Sequence, residues 1–425
     1  MEMSSSKILM TEGSIWKKIT YFAFPIFLGN LFQQMYNTAD SLIVGNFLGS
    51  NALAAVSSSS NLILLMIGFF SGISMGAGVV IAKYFGARQA ENVERAVHTT
   101  VAVGLVASVL LTVGGVLLAP QFLIWMDTPK NVLAESITYF RVYFMGSFGF
   151  VMYNVFVGIL DVVFITVFHM GVGSAALATA ISQFVSAGLC LSQLLKTKGE
   201  YRVTLKHIRF DKEMLEQIIK VGLPSGIQNS IIAIANVVVQ SSINSYGEMA
   251  MAGCGAYSKI EGFAFLPITS FTMAITTFVG QNLGAKQYDR VRKGAKFGIL
   301  SAVLIAEAIG VVIFIFAPSL TAAFDRTPEV IMYGTDRARV EAFFFCLLSY
   351  SHAVSAVLRG AGKSMVPMFV MIVFWCIVRV SIITIVGKLL PGIWIVYWVY
   401  PITWALSSIT FFIYYKKVDW MRGFR

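Results

Sequence analysis

Asp40 is the residue most able to do chemistry in this chain. It lies in YFAFPIFLGNLFQQMYNTADSLIV, residues 21–44, a run otherwise apolar enough to cross a bilayer as a helix. Asn30, Gln33, Gln34, Asn37, Asp40 and Ser41 recur at spacings of three and four, which gathers them on one helix face. Lipid penalises each of these groups, the carboxylate most, so the face is expected to look into protein or a water-filled cavity. A buried carboxylate has a raised pKa and takes up a proton near neutral pH, whereas a neighbouring cation lowers that pKa again. Two mutually exclusive occupants of one group are the physical basis of exchange. The alternative is a hydrogen-bonded structural Asp within a polar seam that joins helices.

The rest of the chain is built to hold such a helix in a membrane. Of 425 residues 57% are hydrophobic and only 12% charged, about half the charged share of a soluble domain. Residues 1–14 are polar and the first apolar run is too long for a signal h-region, so no cleavable signal is expected. Cys190, Cys254, Cys346 and Cys376 are scattered through apolar segments without metal-binding spacing, and read as small core residues. The net charge of +11 sits in short connections between apolar runs, where it sets orientation and does not suggest nucleic acid as a partner.

Apolar segments fall at about 15–43, 52–80, 95–118, 136–160, 172–195, 215–243, 250–278, 294–316, 338–358, 366–387 and 392–415. Basic connections alternate with uncharged or mixed ones, which places 83–95, 196–220, 286–296 and the tail after Lys416 on the cytoplasmic side of a plasma membrane, with both termini there. The expected organisation is an N-terminal bundle (1–195), a cytoplasmic linker (196–214), a C-terminal six-helix bundle (215–415) and a basic tail (416–425). The fold class is an all-α polytopic membrane protein made of two repeated helical bundles.

The repeat is visible at a shift of 198 residues. Gly86-Ala87 meets Gly284-Ala285, Gln89 meets Gln287, Val93 meets Val291, Asp127 meets Asp325 and Arg141-Val142 meets Arg339-Val340. Pro25 meets Pro224 at 199. The polar face recurs as well, since Ser225, Asn229, Asn236, Gln240 and Asn244 line the helix that matches the first. Two bundles facing one another through polar stripes are the plan of a secondary transporter with a central cavity.

Near the end of each half the offset grows from 198 to 221, so the first half lacks ~23 residues just after Leu160. Only 161–170 joins the fourth apolar segment to the one that begins near Val172. As a helix that remnant covers about 15 Å, half of a ~30 Å hydrocarbon core. A short half-helix or irregular connector is expected there, leaving five full crossings in the first half and six in the second.

The motifs FPIFLGNLFQQMYNTADSLIVGNFLG (24–49), SGISMGAGVVIAKYFGA (71–87), FVGQNLGAKQYDRV (278–291) and LRGAGKSMVP (358–367), in this order and with the two-bundle repeat, resemble the multidrug and toxic compound extrusion (MATE) family, its bacterial members most. The resemblance implies a twelve-helix plan, here with about eleven full crossings, and an antiporter that exports organic cations and drugs in exchange for protons or sodium ions. It implies a coupling carboxylate at Asp40 with Asn37 one turn earlier, together a place for Na+, and further coupling residues at Asp161 and Thr179. The family's Asn one turn before the fifth-helix Asp is Val157 here. Asp161 pairs with Asp40 if the remnant reaches the bundle interior, and is merely interfacial if it does not.

The remaining polar residues allow more than one role. Gln33, Gln34, Asn30, Asn229, Asn236, Gln240 and Glu261 are candidates for the substrate cavity. Glu261 and Glu307 sit near the middle of their segments, where either could attract cationic cargo or be a neutral acid bonded to a neighbouring helix, with Arg379 a partner for Glu307. His98, His169 and His352 each stand alone in sequence, and structural roles are expected. The aromatics around Trp394 to Trp404 suit an interface belt or stacking on flat cations. A flippase for a lipid-linked precursor would need several basic residues for pyrophosphate in its cavity, whereas these seams are amide-rich and mildly acidic. An inactive, truncated family member is a further reading. No DDxxD, HExxH or Ser/His/Asp constellation points to an enzyme. The expected partners are a small cationic substrate and membrane lipids, with no cofactor beyond the coupling ion, and the chain reads as a monomer.

Overall fold

Apolar runs of this length, broken only by short connections rich in glycine and charge, can satisfy their peptide groups in lipid only as helices. The computed structural model describes residues 10–47, 49–125, 130–146, 149, 185–197, 200, 202–389 and 392–422; side chains are described except at Gln33, 36–67, Lys388 and scattered positions in 119–140. Its helices are α1 (Ile15–Phe47), α2 (Gly49–Gly86), α3 (Ala90–Trp125), α4 (Lys130–Met145), α5 (185–196), α6 (Lys212–Asn244), α7 (Glu248–Gly284), α8 (Tyr288–Ala322), α9 (Pro328–Ala342), α10 (Phe345–Gly360), α11 (365–389) and α12 (Trp394–Lys417). Among the described residues seven helices are long and apolar enough to cross a membrane, or eight when α9 and α10 count as one broken span. The chain is thus an all-α, multi-pass membrane protein. The connector expected at 161–170 lies outside the described residues.

Several helices run past the apolar segments at both ends, as α2, α3, α6, α7, α8 and α11 do. α9 is the largest such case: its stretch PEVIMYGTDRAR is too polar to read as membrane helix, yet it continues outward from the segment expected at 338–358. Between α9 and α10 the path bends by 53°. In α11 two π-helical stretches, Ile372–Val378 and Ile382–Val386, flank a single α turn, Arg379–Ser381. π-turns of this kind widen a helix locally and concentrate at functional sites.

Backbone geometry reproduces the repeat. Arg88 and Lys286, which are 198 positions apart, both take left-handed conformations (φ 56° and 57°). At each, the next residue's amide reaches back to close the helix end, Gln89 to the Tyr84 carbonyl and Gln287 to that of Asn282, the hydrogen bond that ends a helix in a Schellman turn.

The fold comprises two compact units, one of 1–31 with 227–425 and the other of 32–226. α1 and α6 therefore each pass from one unit to the other, shortly after Pro25 and Pro224. In the first unit, Ile275, Val279, Ala302, Ala306, Phe345, Leu348 and Trp404 belong to a core shared by α7, α8, α10 and α12. In the second, α2, α3 and the start of α6 pack through Ala77, Val80, Val97, Met214 and Ile218. Gly72 and Gly76 of α2 lie so close to Gly222 and Gly226 of α6 that an added Cβ would overlap the opposing backbone.

Candidate functional site

The polar face of α1 sits on a helix whose backbone is continuous from Ile15 to Phe47, through Asp40. The side chains of Gln33, Asn37 and Asp40 lie outside the described residues, as do Asp161 and Thr179 altogether. Asn30 and Gln34 are half-buried. On α6, Asn229 is half-buried while Asn236, Gln240 and Asn244 are exposed, one helical turn apart. Gln240 donates to Asn244 across that turn at 2.8 Å. Asn236, Gln240 and Asn244 form an exposed row of amides along α6. Lower on the same helix, Gln228 turns inward and donates to Met371 Sδ.

A second polar centre lies in the first unit and was largely hidden in the sequence. Arg337 and Glu341, one turn apart on α9, form an ion pair at 2.8 Å with exposures of only 3% and 0%. The Arg337 guanidinium packs over the rings of Tyr257 and Tyr400, 5.1 and 5.2 Å from their centroids. Arg379, from the α turn between the two π stretches, approaches Tyr400 at 4.3 Å and Trp375 at 5.4 Å. It also donates to Thr403 Oγ1 at 3.0 Å. Tyr400 thus serves two guanidiniums. Half-buried Glu261 lies in the field of both. Among the described residues Glu341 Oε2, Arg379 Nε and the Tyr257 hydroxyl have no hydrogen-bond partner. Taking such charges out of water is costly, and their mutual attraction offsets the cost only with good geometry. The signal available in the sequence was the i,i+4 Arg/Glu spacing, masked by the polar character of α9.

The structure gives Glu307 a different partner from Arg379: its carboxylate accepts the backbone amide of Cys346 at the start of α10. His352 lies edge-on to Phe265 and Trp375, which accords with a structural role. His98 does not stand alone. Its Nδ1 donates to the Glu94 carbonyl at 2.8 Å and its Nε2 accepts from the Thr204 amide at 2.9 Å. His207 Nδ1 meets Glu94 Oε1 at 2.9 Å. Ligand atoms of Glu94, His98 and His207 lie within 4.8 Å of one another. A metal there would have to displace the Thr204 amide from His98 and the His207 proton from Glu94, and as they stand these bonds fasten the linker to α3.

Comparison with known proteins follows the two-half plan. The MatE family model matches residues 25–185 and again 224–385. The probable multidrug resistance protein YoeA of Bacillus subtilis is 25% identical, covering 96% of this chain and 95% of that protein. The multidrug export protein MepA of Staphylococcus aureus is 23% identical over 83% of this chain and 80% of its own. Among solved structures, a MOP superfamily transporter from Pyrococcus furiosus, whose binding pocket is described as reversed in polarity, superposes with a TM-score of 0.88 at 24% identity, covering 97% and 98% of the two chains. An outward-facing MATE transporter gives the same values. At that identity the likeness concerns the fold. With one family model accounting for both halves of the sequence, the chain belongs to the MatE family.

Proposed function

We propose that Asp40 is the group at which this transporter couples export to the entry of protons or sodium ions. As a MatE protein the chain is a secondary transporter and not an enzyme: an efflux antiporter for drugs and organic cations. The observation that carries the assignment to Asp40 is that it is the only acid on the polar face of an otherwise apolar helix. Protonated, Asp40 is neutral and releases a cation; ionised, it attracts one, with Asn37 supplying a neutral oxygen for Na+. Asp161 and Thr179 complete the coupling set by family resemblance. Gln33, Gln34, Asn30, Asn229, Asn236, Gln240 and Glu261 line the substrate path for a small cationic molecule. The two transporting halves are 1–195 and 215–415, joined by the cytoplasmic linker 196–214, in a twelve-helix plan with about eleven full crossings. The chain acts in the bacterial plasma membrane as a monomer with both termini inside.

A pyrophosphate-linked lipid fits the described residues less well, because Arg337 is already committed to Glu341. The test is Asp40→Asn, nearly isosteric but unable to exchange a proton. Drug accumulation is measured in cells across imposed pH and sodium gradients. Gradient-driven export should vanish while expression stays normal. Export that is unchanged in Asp40→Asn sinks the assignment. Export absent from the unmodified chain supports the reading of an inactive member.

A further inference from the structure

The linker is pinned to the rest of its unit on both sides of one cluster of nitrogen and oxygen atoms. Before the cluster, the Val203 amide donates to the Leu194 carbonyl, and the Val203 side chain is buried. After it, Arg95 of α3 binds Asp211 Oδ2 through Nε at 2.9 Å, and the Asp211 amide donates to Thr99 Oγ1 at 3.1 Å. Between these anchors the short turn Leu205–His207 sets His207 beside α3, its ring centroid 5.7 Å from that of His98. Glu94 and His98 are one helical turn apart on α3 and so share a face. All three residues belong to the unit of 32–226.

Each of the three presents an atom that can bind a metal. The Thr204 amide can only donate, so His98 Nε2, 2.9 Å away, must accept, and the ring proton sits on Nδ1. That proton goes to the Glu94 carbonyl at 2.8 Å, which fixes the buried ring with its Nε2 lone pair facing the linker. A ring N–H held by a backbone carbonyl is the outer-shell bond that metal-binding histidines ordinarily make. His207 Nδ1 and Glu94 Oε1 meet at 2.9 Å, an exposed pair that contributes little by itself. Ligand atoms of the three residues lie within 4.8 Å of one another. Around a tetrahedral zinc ion with bonds of ~2.0–2.1 Å they would stand about 3.3 Å apart, a closure of about 1.5 Å at the widest. That movement falls to Glu94 and His207, whose side chains are 47% and 62% exposed. Two hydrogen bonds give way as it happens. The Thr204 amide, in a half-buried stretch of the linker, turns to water, and the His207 proton moves from Nδ1 to Nε2.

We propose that Glu94, His98 and His207 form a binding site for one zinc-class divalent cation, with a fourth position left to water, and that the bound ion ties the linker to α3. Two imidazole nitrogens and one carboxylate oxygen suit Zn2+ and its transition-metal neighbours, whereas Mg2+ and Ca2+ take oxygen ligands. The anchors at Val203 and Asp211 hold His207 near the site before any ion arrives, which lowers the entropy cost of binding. Sequence spacing conceals the site, because His207 follows His98 by 109 positions.

The test uses the full chain, purified in detergent with an affinity tag free of histidine and stripped with a chelator. Titration calorimetry with Zn2+ should give one site per chain, which Mg2+ does not fill. Glu94→Gln and His207→Ala alter exposed side chains and should each weaken binding at least about tenfold, as even changes behind a metal ligand do. Glu91→Gln, one turn earlier on α3, should leave it unchanged. The second readout is trypsin cleavage of the linker after Arg202 and Lys206. Zn2+ should slow it several-fold in the parent and not in His207→Ala. Absence of Zn2+ binding, binding that survives both substitutions, or binding that Mg2+ matches overturns the site. Binding that leaves linker cleavage unchanged overturns the tie.

Discussion

The carboxylate of Glu307 on α8 accepts the backbone amide of Cys346, the second residue of α10, at 2.9 Å. The bond sits at the bend between α9 and α10, where the first amides of a new helix have no partners of their own. A negative group is favoured there by the helix dipole as well. Three residues along α8, Gly310 leaves room for the Ala342 carbonyl at the end of α9, where a Cβ would overlap it. One face of α8 thus stabilises both sides of the bend.

Glu307→Ala should therefore lower stability by about 0.5–2 kcal/mol, the usual effect of losing a helix cap. Glu307→Gln keeps an acceptor oxygen and should lose less. Thermal unfolding of the purified protein in detergent measures both. An Ala variant as stable as the parent would show that water or another donor arrangement replaces the cap without loss.

The Arg337–Glu341 pair makes an opposite kind of prediction, because here the partner left behind is the problem. Removing one member of a buried pair costs about 3–5 kcal/mol, whereas replacing both with apolar residues of similar size is often close to neutral. Glu341→Leu alone should be severely destabilised, and Arg337→Met with Glu341→Leu should recover much of the loss. Unfolding of the singles and the double in one cycle isolates the coupling. A double variant no more stable than Glu341→Leu would mean that Arg337 matters chiefly for its packing on Tyr257 and Tyr400.

These two centres show what could be read before the structure. The period of polar residues on α1 and α6 was plain in the sequence because an amide every third or fourth place stands out against leucine and phenylalanine. The repeat offset of 198 matched Gly86-Ala87 and Gln89 to Gly284-Ala285 and Gln287, and the structure adds that the residue between them closes a helix in each half. Arg337 escaped because it lies in a stretch whose composition is that of a loop, and nothing local says that α9 continues a membrane helix. The Glu307 partner escaped for another reason: it is a backbone amide, which carries no sequence signal. Arg290 likewise binds the Met10, Glu12 and Gly13 carbonyls, which any residue would supply.

Acid should weaken the tie at the start of α6. The Asp211 carboxyl is held below its ordinary range, first by the Met214 amide at the helix start and then by Arg95. Its folded value is lower than the unfolded value of about 3.9, so the stability it supplies is complete above that pH. It is lost as pH falls through the lower, folded value. Asp211→Asn should accordingly be less stable than the parent at neutral pH, with the difference shrinking below about pH 4. A difference that stays constant down to about pH 2 would mean that the charge on Asp211 contributes nothing.

The close approach of α2 and α6 leaves no room for a side chain at Gly76. In a membrane two helices gain little from burying apolar surface against each other, because lipid is equally apolar; they associate through close packing, which small residues permit. At Gly76 a new Cβ would occupy the place of the Gly222 Cα, and at Gly72 that of the Gly226 backbone. Neither obstacle is a flexible side chain that could rotate aside. Gly76→Ala must therefore push the helices apart along the line that also carries the Gln217 bond to Tyr84. Overpacking of this kind costs about 1–3 kcal/mol. Gly114, in contrast, has nothing within 4 Å of an added Cβ, and Gly114→Ala should be neutral or slightly stabilising through helix propensity. Comparing the two by thermal unfolding separates contact from propensity. Equal effects at 76 and 114 would show that the α2–α6 seam is looser than its backbone positions imply.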